Sequence, residues 1–259
     1  MFFFSTEVTT SKIFSDRPLQ QRTNKAYEIA KDLVKGNVLE IGCGEGYGID
    51  QYYKNVDKLT LIDKSDYSFH LLKKKFPEVT FLKKKIPPLK NLPENHFDTI
   101  LSFQVIEHVR NDHLYLQEIY RVLKPGGKAI ITTPNAEKSV ARNPWHYKEY
   151  HFNELEKLLK EYFTDYEIKG IEGNDKTDLY YSKNKNRVEK LLRYDIFRLE
   201  RRLPSFILKV PYEVLNRKNR KKLLKNNRNL IEDINSNDYS LNGFSSETLD
   251  FFCILKKST

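Results

Sequence analysis

Short, mostly apolar runs punctuate the first half of the chain: Val38–Ile41, Lys58–Asp63, Val79–Leu82, Phe97–Phe103 and Lys128–Thr133. Their length and near-continuous hydrophobicity suit strands of a parallel sheet covered on both faces. Helical spacing appears between them. Ala26, Ile29, Ala30, Leu33 and Val34 form an apolar stripe that stops at Gly36. Ile49 to Asn55 reads as a short helix, and Tyr67–Lys75 as another with Phe69, Leu71 and Leu72 inward, closed by Pro77. Asp112–Leu123 carries Leu116, Ile119, Tyr120 and Leu123 on one face before Lys124-Pro125-Gly126-Gly127 breaks it. A helix over Glu156–Phe163, a strand over Tyr166–Ile171 and a final strand over Leu249–Leu255 complete the series. Strand and helix alternate, which predicts an α/β, doubly wound, mostly parallel sheet with its ligand at the carboxyl ends of the strands.

The stretch between the last two strands breaks this rhythm. Val188, Leu192, Ile196, Leu199 and Leu203 mark a helical face that Pro204 ends. Ser205–Tyr212 is apolar except for Lys209, and a second helix spans Tyr212–Ile231. The chain thus divides into an N-terminal segment and helix (1–36), a core (37–173), a basic helical insertion (174–247) and a last core strand (248–259).

Charge changes the picture at one place. The net charge is +10, yet Lys183–Arg228 holds 16 Lys/Arg against 4 Asp/Glu. That balance of +12 leaves the rest of the chain at −2. The insertion reads as an amphipathic lid with solvated charges. Its sharper alternative is docking through 183–228 on an anionic membrane or a lipid-linked phosphate. RNA is disfavoured, because no recognisable RNA-binding motif accompanies the basic patch. Cys43 and Cys253 have no partners at metal-ligand spacing, which argues against zinc and a disulfide framework. Met1-Phe2-Phe3-Phe4 is too short for a signal-peptide core, and no run reaches the length of a membrane span. The expected location is the cytoplasm, with the inner membrane face as the peripheral alternative.

The candidate chemistry sits where the first strand ends. Glu40-Ile41-Gly42-Cys43-Gly44-Glu45-Gly46 leads into a tight turn and a helix beginning near Tyr47. Glycine permits positive φ there and lets a ligand lie against the backbone. A dinucleotide site would want its third glycine at position 47; that residue is Tyr47, which disfavours a nicotinamide oxidoreductase. Asp63 ends the second strand about twenty residues past the turn, where a carboxylate can bind both ribose hydroxyls. Either feature alone would pass for an ordinary turn or a solvated aspartate. Together they point to a nucleoside ligand.

The glycine turn and Asp63 resemble motif I and its acidic partner in class I S-adenosylmethionine-dependent methyltransferases. Phe97-Asp98-Thr99-Ile100, Val105-Ile106-Glu107-His108, Arg121-Val122-Leu123-Lys124-Pro125-Gly126-Gly127 and Thr133-Pro134-Asn135 follow in the order found in the type-11/type-23 group. The likeness covers about 25–173 and resumes in the last strand. It implies a Rossmann-like sheet of seven strands with the last one antiparallel between strands five and six. The implied cofactor is S-adenosyl-L-methionine, leaving as S-adenosyl-L-homocysteine. Its implied binding residues are Glu40, Gly42, Cys43, Gly44, Gly46, Asp63, Lys64, Ile86, Ser102 and Gln104. One departure stands out: Lys85-Ile86-Pro87-Pro88 replaces the acidic residue that often holds the adenine amine.

A sulfonium brings its own leaving group, so no metal is expected, and a base helps when the acceptor is a hydroxyl. His146, in the aromatic stretch Asn143–His151, and His108 are the candidate bases; each also reads as a loop-anchoring residue. His151 reads as the edge of the following helix. The expected reaction is methyl transfer to an oxygen or nitrogen of a metabolite, glycan or lipid-linked acceptor. An inactive cofactor-binding scaffold is the alternative.

Overall fold

The computed structural model describes residues 13–195 and 199–259, so Met1–Phe4, Ser11, Ile196 and Arg198 lie outside the described residues. Its centre is one eight-stranded sheet. The strands are β1 (Asn37–Ile41), β2 (Lys58–Asp63), β3 (Thr80–Lys83), β4 (Phe97–Phe103), β5 (Leu123–Pro134), β6 (Asp165–Gly173), β7 (Tyr239–Gly243) and β8 (Asp250–Lys256). Their order is β3-β2-β1-β4-β5-β8-β6-β7. The first five run parallel, with Val38 beside Leu59 on one side and Thr99 on the other. β8 lies antiparallel between β5 and β6. The eighth strand corrects the count of seven: β7 lies in the stretch read as helical and pairs antiparallel with β6 at the sheet edge. Its short sequence, Tyr239-Ser240-Leu241-Asn242-Gly243, alternates with only one buried side chain, Tyr239, and so gave little strand signal.

Helices cover both faces. On one, α4 (Asp112–Val122) and α5 (Phe152–Lys160) pack Tyr115, Leu116, Ile119, Leu155 and Leu159 against Leu39, Ile100 and Ile131. On the other, α1 (Arg17–Ala30), α2 (Ile49–Tyr52) and α3 (Asp66–Lys75) bury Ala26, Ala30, Ile49 and Leu72 against Val38, Leu61 and Leu101. Side chains of successive strand residues point to opposite faces, so the continuous apolar runs serve both layers at once.

Between β6 and β7 come α6 (Asp175–Leu192), α7 (Leu199–Arg202), α8 (Ser205–Asn226) and α9 (Arg228–Asp233). These boundaries differ from the periodicity. The apolar stripe Val188–Leu203 is not one helix, because Asp195 restarts the chain: its carboxylate accepts from the backbone N–H of Leu199 (2.8 Å) and Glu200 (2.9 Å). α8 begins at Ser205 and contains Pro211, which the apolar run Ser205–Tyr212 did not suggest. α5 begins four residues ahead of Glu156, where the Glu154 carboxylate accepts from the His151 N–H at 3.3 Å. That places His151 at the helix N-cap.

Candidate active site at the carboxyl ends of the strands

A cavity of about 1560 Å³ opens where β1, β2, β4 and β5 end. It exceeds the roughly 300–1,000 Å³ of a pocket for one drug-sized ligand, so it has room for two reactants. Gly42, Cys43, Gly44, Asp63, Lys64, Ile86 and Gln104 line one part of it; His108 and His146 line another. α6 and α8 close the far side with Tyr180, Tyr212 and Asn216 among others.

The turn after β1 is built on left-handed glycines: φ is +73° at Gly42, +51° at Gly44 and +73° at Gly46. A Cβ on Gly42 would sit 2.4 Å from Val105 Cγ2. The Asp63 carboxylate closes the turn, accepting from the Gly44 N–H (3.0 Å) and the Ser65 N–H (2.8 Å). Gln104 follows β4 with φ +57°, a strained conformation for a residue with a Cβ, and its backbone N–H bonds Thr132 O at 3.0 Å. Backbone groups, a carboxylate and an amide therefore converge on one concave surface, which suits the ribose and methionine parts of the implied nucleoside.

Three residues expected at the cofactor do not line this cavity. Glu40 is interior and does not line the cavity; Tyr27 donates to it at 2.5 Å and Tyr52 donates to its other oxygen. Burial pushes its carboxyl up to about 7, against those two hydrogen bonds. Ser102 is fully buried and shares a 2.6 Å hydrogen bond with Tyr115 OH. Gly46 supports the turn from beneath, where a Cβ would meet Leu72 Cδ2 at 2.4 Å. All three pack within the turn or the strands beneath it.

The second cluster joins residues far apart in the chain. His108 and His146 meet edge to face with ring centres 4.7 Å apart. His108 Nδ1 lies 3.0 Å from Trp145 O, so that nitrogen carries the proton it donates to the carbonyl. His146 Nδ1 is 2.6 Å from Glu149 Oε1, and its Nε2 is 2.8 Å from Asn143 Nδ2. The carboxylate fixes the tautomer: Nδ1–H donates to Glu149, and Nε2 accepts from the Asn143 amide. Burial raises the Glu149 carboxyl, but hydrogen bonds from His146 and Ser139 outweigh it and hold it below the ordinary carboxylate range. Glu107, 1% exposed, takes a hydrogen bond from Thr133 Oγ1 at 3.0 Å; burial pushes it up to about 7. Glu107, His108 and His146 each place a ligand atom within 4.8 Å of the others. One carboxylate and two imidazoles would also suit a borderline cation.

Sequence reasoning missed Glu149, Asn143 and Asn216. The first two orient His146 across three residues of loop, a spacing with no motif. Asn216 lines the cavity from α8, and its buried Nδ2 has no hydrogen-bond partner among the described residues. Trp145 ties this loop to the insertion: its Nε1–H donates to Glu213 at 2.9 Å, and Lys209 stacks 4.0 Å over its ring.

Residues 39–131 match the family model described as a methyltransferase domain. A probable S-adenosylmethionine-dependent methyltransferase of Mycolicibacterium smegmatis is 33% identical over 129 residues, 48% of this chain and 50% of that one. A ubiquinone biosynthesis O-methyltransferase of Rickettsia conorii is 26% identical over 136 residues, 51% of this chain and 45% of that one. The chain thus spans about half the length of the curated relatives it matches. A SAM-dependent methyltransferase of Thermotoga maritima shares the fold, with a TM-score of 0.56 at 16% identity over 94% of this chain and 92% of that one. The glycine turn, Asp63 and the strands that carry them lie within the stretch that matches a methyltransferase domain, and the relatives that share this stretch include S-adenosylmethionine-dependent methyltransferases.

Proposed function

We propose that this protein moves a methyl group from S-adenosylmethionine to an oxygen or nitrogen of an acceptor held beneath α6 and α8, with His146 as the base. The observation that carries this reading is the carboxylate-oriented His146 in the cavity that the glycine turn and Asp63 also line. The bound cofactor supplies an electrophilic methyl on a sulfonium, which departs as a neutral thioether. The glycine turn and Asp63 hold the nucleoside and fix the direction of the displacement. His146 Nε2, an acceptor by virtue of the Glu149 bond on Nδ1, takes the proton that the acceptor's O–H or N–H loses once the acceptor displaces the Asn143 amide from it. Glu149 stabilises the imidazolium that results.

The named R. conorii relative supports oxygen as the acceptor atom, though over only half its length. The test is production of S-adenosylhomocysteine with a panel of phenols, alcohols and amines, beside calorimetry with the cofactor. His146→Ala is expected to lower turnover by about two to four orders of magnitude and leave cofactor affinity nearly unchanged. Turnover untouched by the substitution removes His146 as base. Tight NAD binding without S-adenosylmethionine binding would sink the reading altogether.

A further inference from the structure

The outward side of α8 is split along its length. In the first half it shows Phe206 (73% exposed), Val210 (71%) and Val214 at i, i+4 and i+8. On the same side the second half shows Lys218, Lys221, Lys222 and Lys225, all exposed. Residues four apart share a helix face, so these form one continuous strip that turns from apolar to cationic. α6 packs alongside through Arg187 Nε to Asn219 Oδ1 and Asn219 Nδ2 to Asn184 Oδ1, both 2.8 Å. Its end adds Tyr194, 86% exposed, and the exposed Arg193; α7 adds Arg201 and Arg202. Exposed apolar side chains therefore gather at one end of the insertion, inside a field of one sign. Leu191, Phe206 and Leu215 are exposed and also line the cavity, so part of its rim is apolar.

We propose that the α6–α8 pair docks on an anionic lipid bilayer and that the cavity admits an amphiphilic acceptor from that bilayer. An apolar strip flanked by lysine and arginine matches the boundary where acyl chains meet anionic headgroups: the strip enters the hydrocarbon edge and the cations stay with the phosphates. The +12 balance of 183–228 supplies the charge complementarity. Among the described residues no helix is long and apolar enough to cross a membrane, so the attachment is peripheral. Docking stands without the proposed reaction; only the delivery of the acceptor rests on it.

The test uses the full chain and vesicles of phosphatidylcholine, alone or mixed with phosphatidylglycerol, in flotation at about 0.1 M and about 1 M salt, where the screening length falls from ~10 to ~3 Å. Expected is binding to the anionic vesicles, weakened by salt. Lys218→Glu/Lys221→Glu/Lys225→Glu should lower the partition coefficient about 100-fold or more, since each lysine near such a surface contributes roughly five-fold. Val210→Ser/Val214→Ser should lower it about ten-fold. Calorimetry with S-adenosylmethionine, unchanged in both variants, shows that they fold and keeps a failure of docking distinct from a failure of the methyltransferase reading. Negligible binding to both vesicle types, or variants that bind as well as the parent, overturns the proposal. So does a dimer in solution that the serine variant dissolves without any vesicle binding, which would assign the strip to a second copy of the chain.

Discussion

At the residue scale, two carboxylates 23 positions apart show how environment decides role. Asp63 lines the cavity and spends its oxygens on the Gly44 and Ser65 N–H groups, so it shapes the turn as well as facing the cavity. Asp63→Ala is expected to weaken S-adenosylmethionine binding by about 1–3 kcal/mol, the scale for losing a charge-assisted partner. Titration calorimetry measures it, and an unchanged dissociation constant takes Asp63 away from the ligand. Glu40 does the opposite work. Sealed behind Tyr27 and Tyr52 and raised by burial to about 7 from 4.5, it stays protonated in the fold at pH values where the unfolded chain ionises. Between about pH 4.5 and 7 the native state therefore binds the extra proton, and stability falls as pH rises. Above 7 the penalty is constant. Glu107, also raised by burial to about 7, adds a second step of the same sign. Glu40→Gln should remove its own share of that decline, worth about 3 kcal/mol by pH 8. Thermal melts of the ligand-free protein across this range are the measurement; identical slopes in parent and variant would show that Glu40 ionises normally.

At the element scale, the legible part is what one segment can specify alone. The parallel strands announce themselves because burial on both faces demands unbroken apolar runs, and β1, β2 and β4 match their predicted ranges within a residue. The glycine turn is legible because left-handed backbone at three alternate positions leaves little other choice of residue. Glu40 misled for the same reason that it is placed: a charge inside an apolar strand reads as a ligand group, and only the fold reveals two tyrosines waiting for it. Tyr27 comes from α1 and fits because Gly48 lacks a Cβ, which would stand 2.0 Å from its ring. β7 was illegible, since an edge strand with four of five residues at least partly exposed carries no burial pattern. The insertion's helices were legible as helical but not in their limits. Asp195 and Asn227 divide them through local side-chain hydrogen bonds that compete with helix continuation. His146 could be nominated from its aromatic surroundings; Glu149, which makes it an acceptor, needed the loop's three-dimensional path.

At the scale of the whole molecule, the insertion is tethered to the sheet by the turn Phe14–Asp16 that leads into α1. Asp16 is fully buried and receives Arg217 at 3.1 Å and Arg220 at 2.7 Å, both from α8. Arg17 Nε donates to Ile234 O at 3.0 Å, and Tyr239 OH to Pro18 O at 2.8 Å, so the segments flanking α9 and β7 are held as well. The same α1 reaches the sheet through Arg22, paired with the buried Asp250 of β8 at 2.7 Å. α1 is thus a strut between the sheet and the helices of the insertion. Asp16→Ala removes a counter-charge shared by two arginines, and breaking such a buried arrangement costs about 3–5 kcal/mol. The loss should be local, because both arginines that Asp16 pairs with belong to α8, whereas β1 and β4 are buried on both faces and touch neither. Amide exchange in α8 is therefore expected to accelerate by about two to three orders of magnitude more than in β1 and β4. Cofactor affinity should change little, since the glycine turn is rooted in those strands. Uniform acceleration throughout the chain would mean that sheet and insertion unfold as one cooperative unit, and no acceleration in α8 would mean that Asp16 does not anchor it.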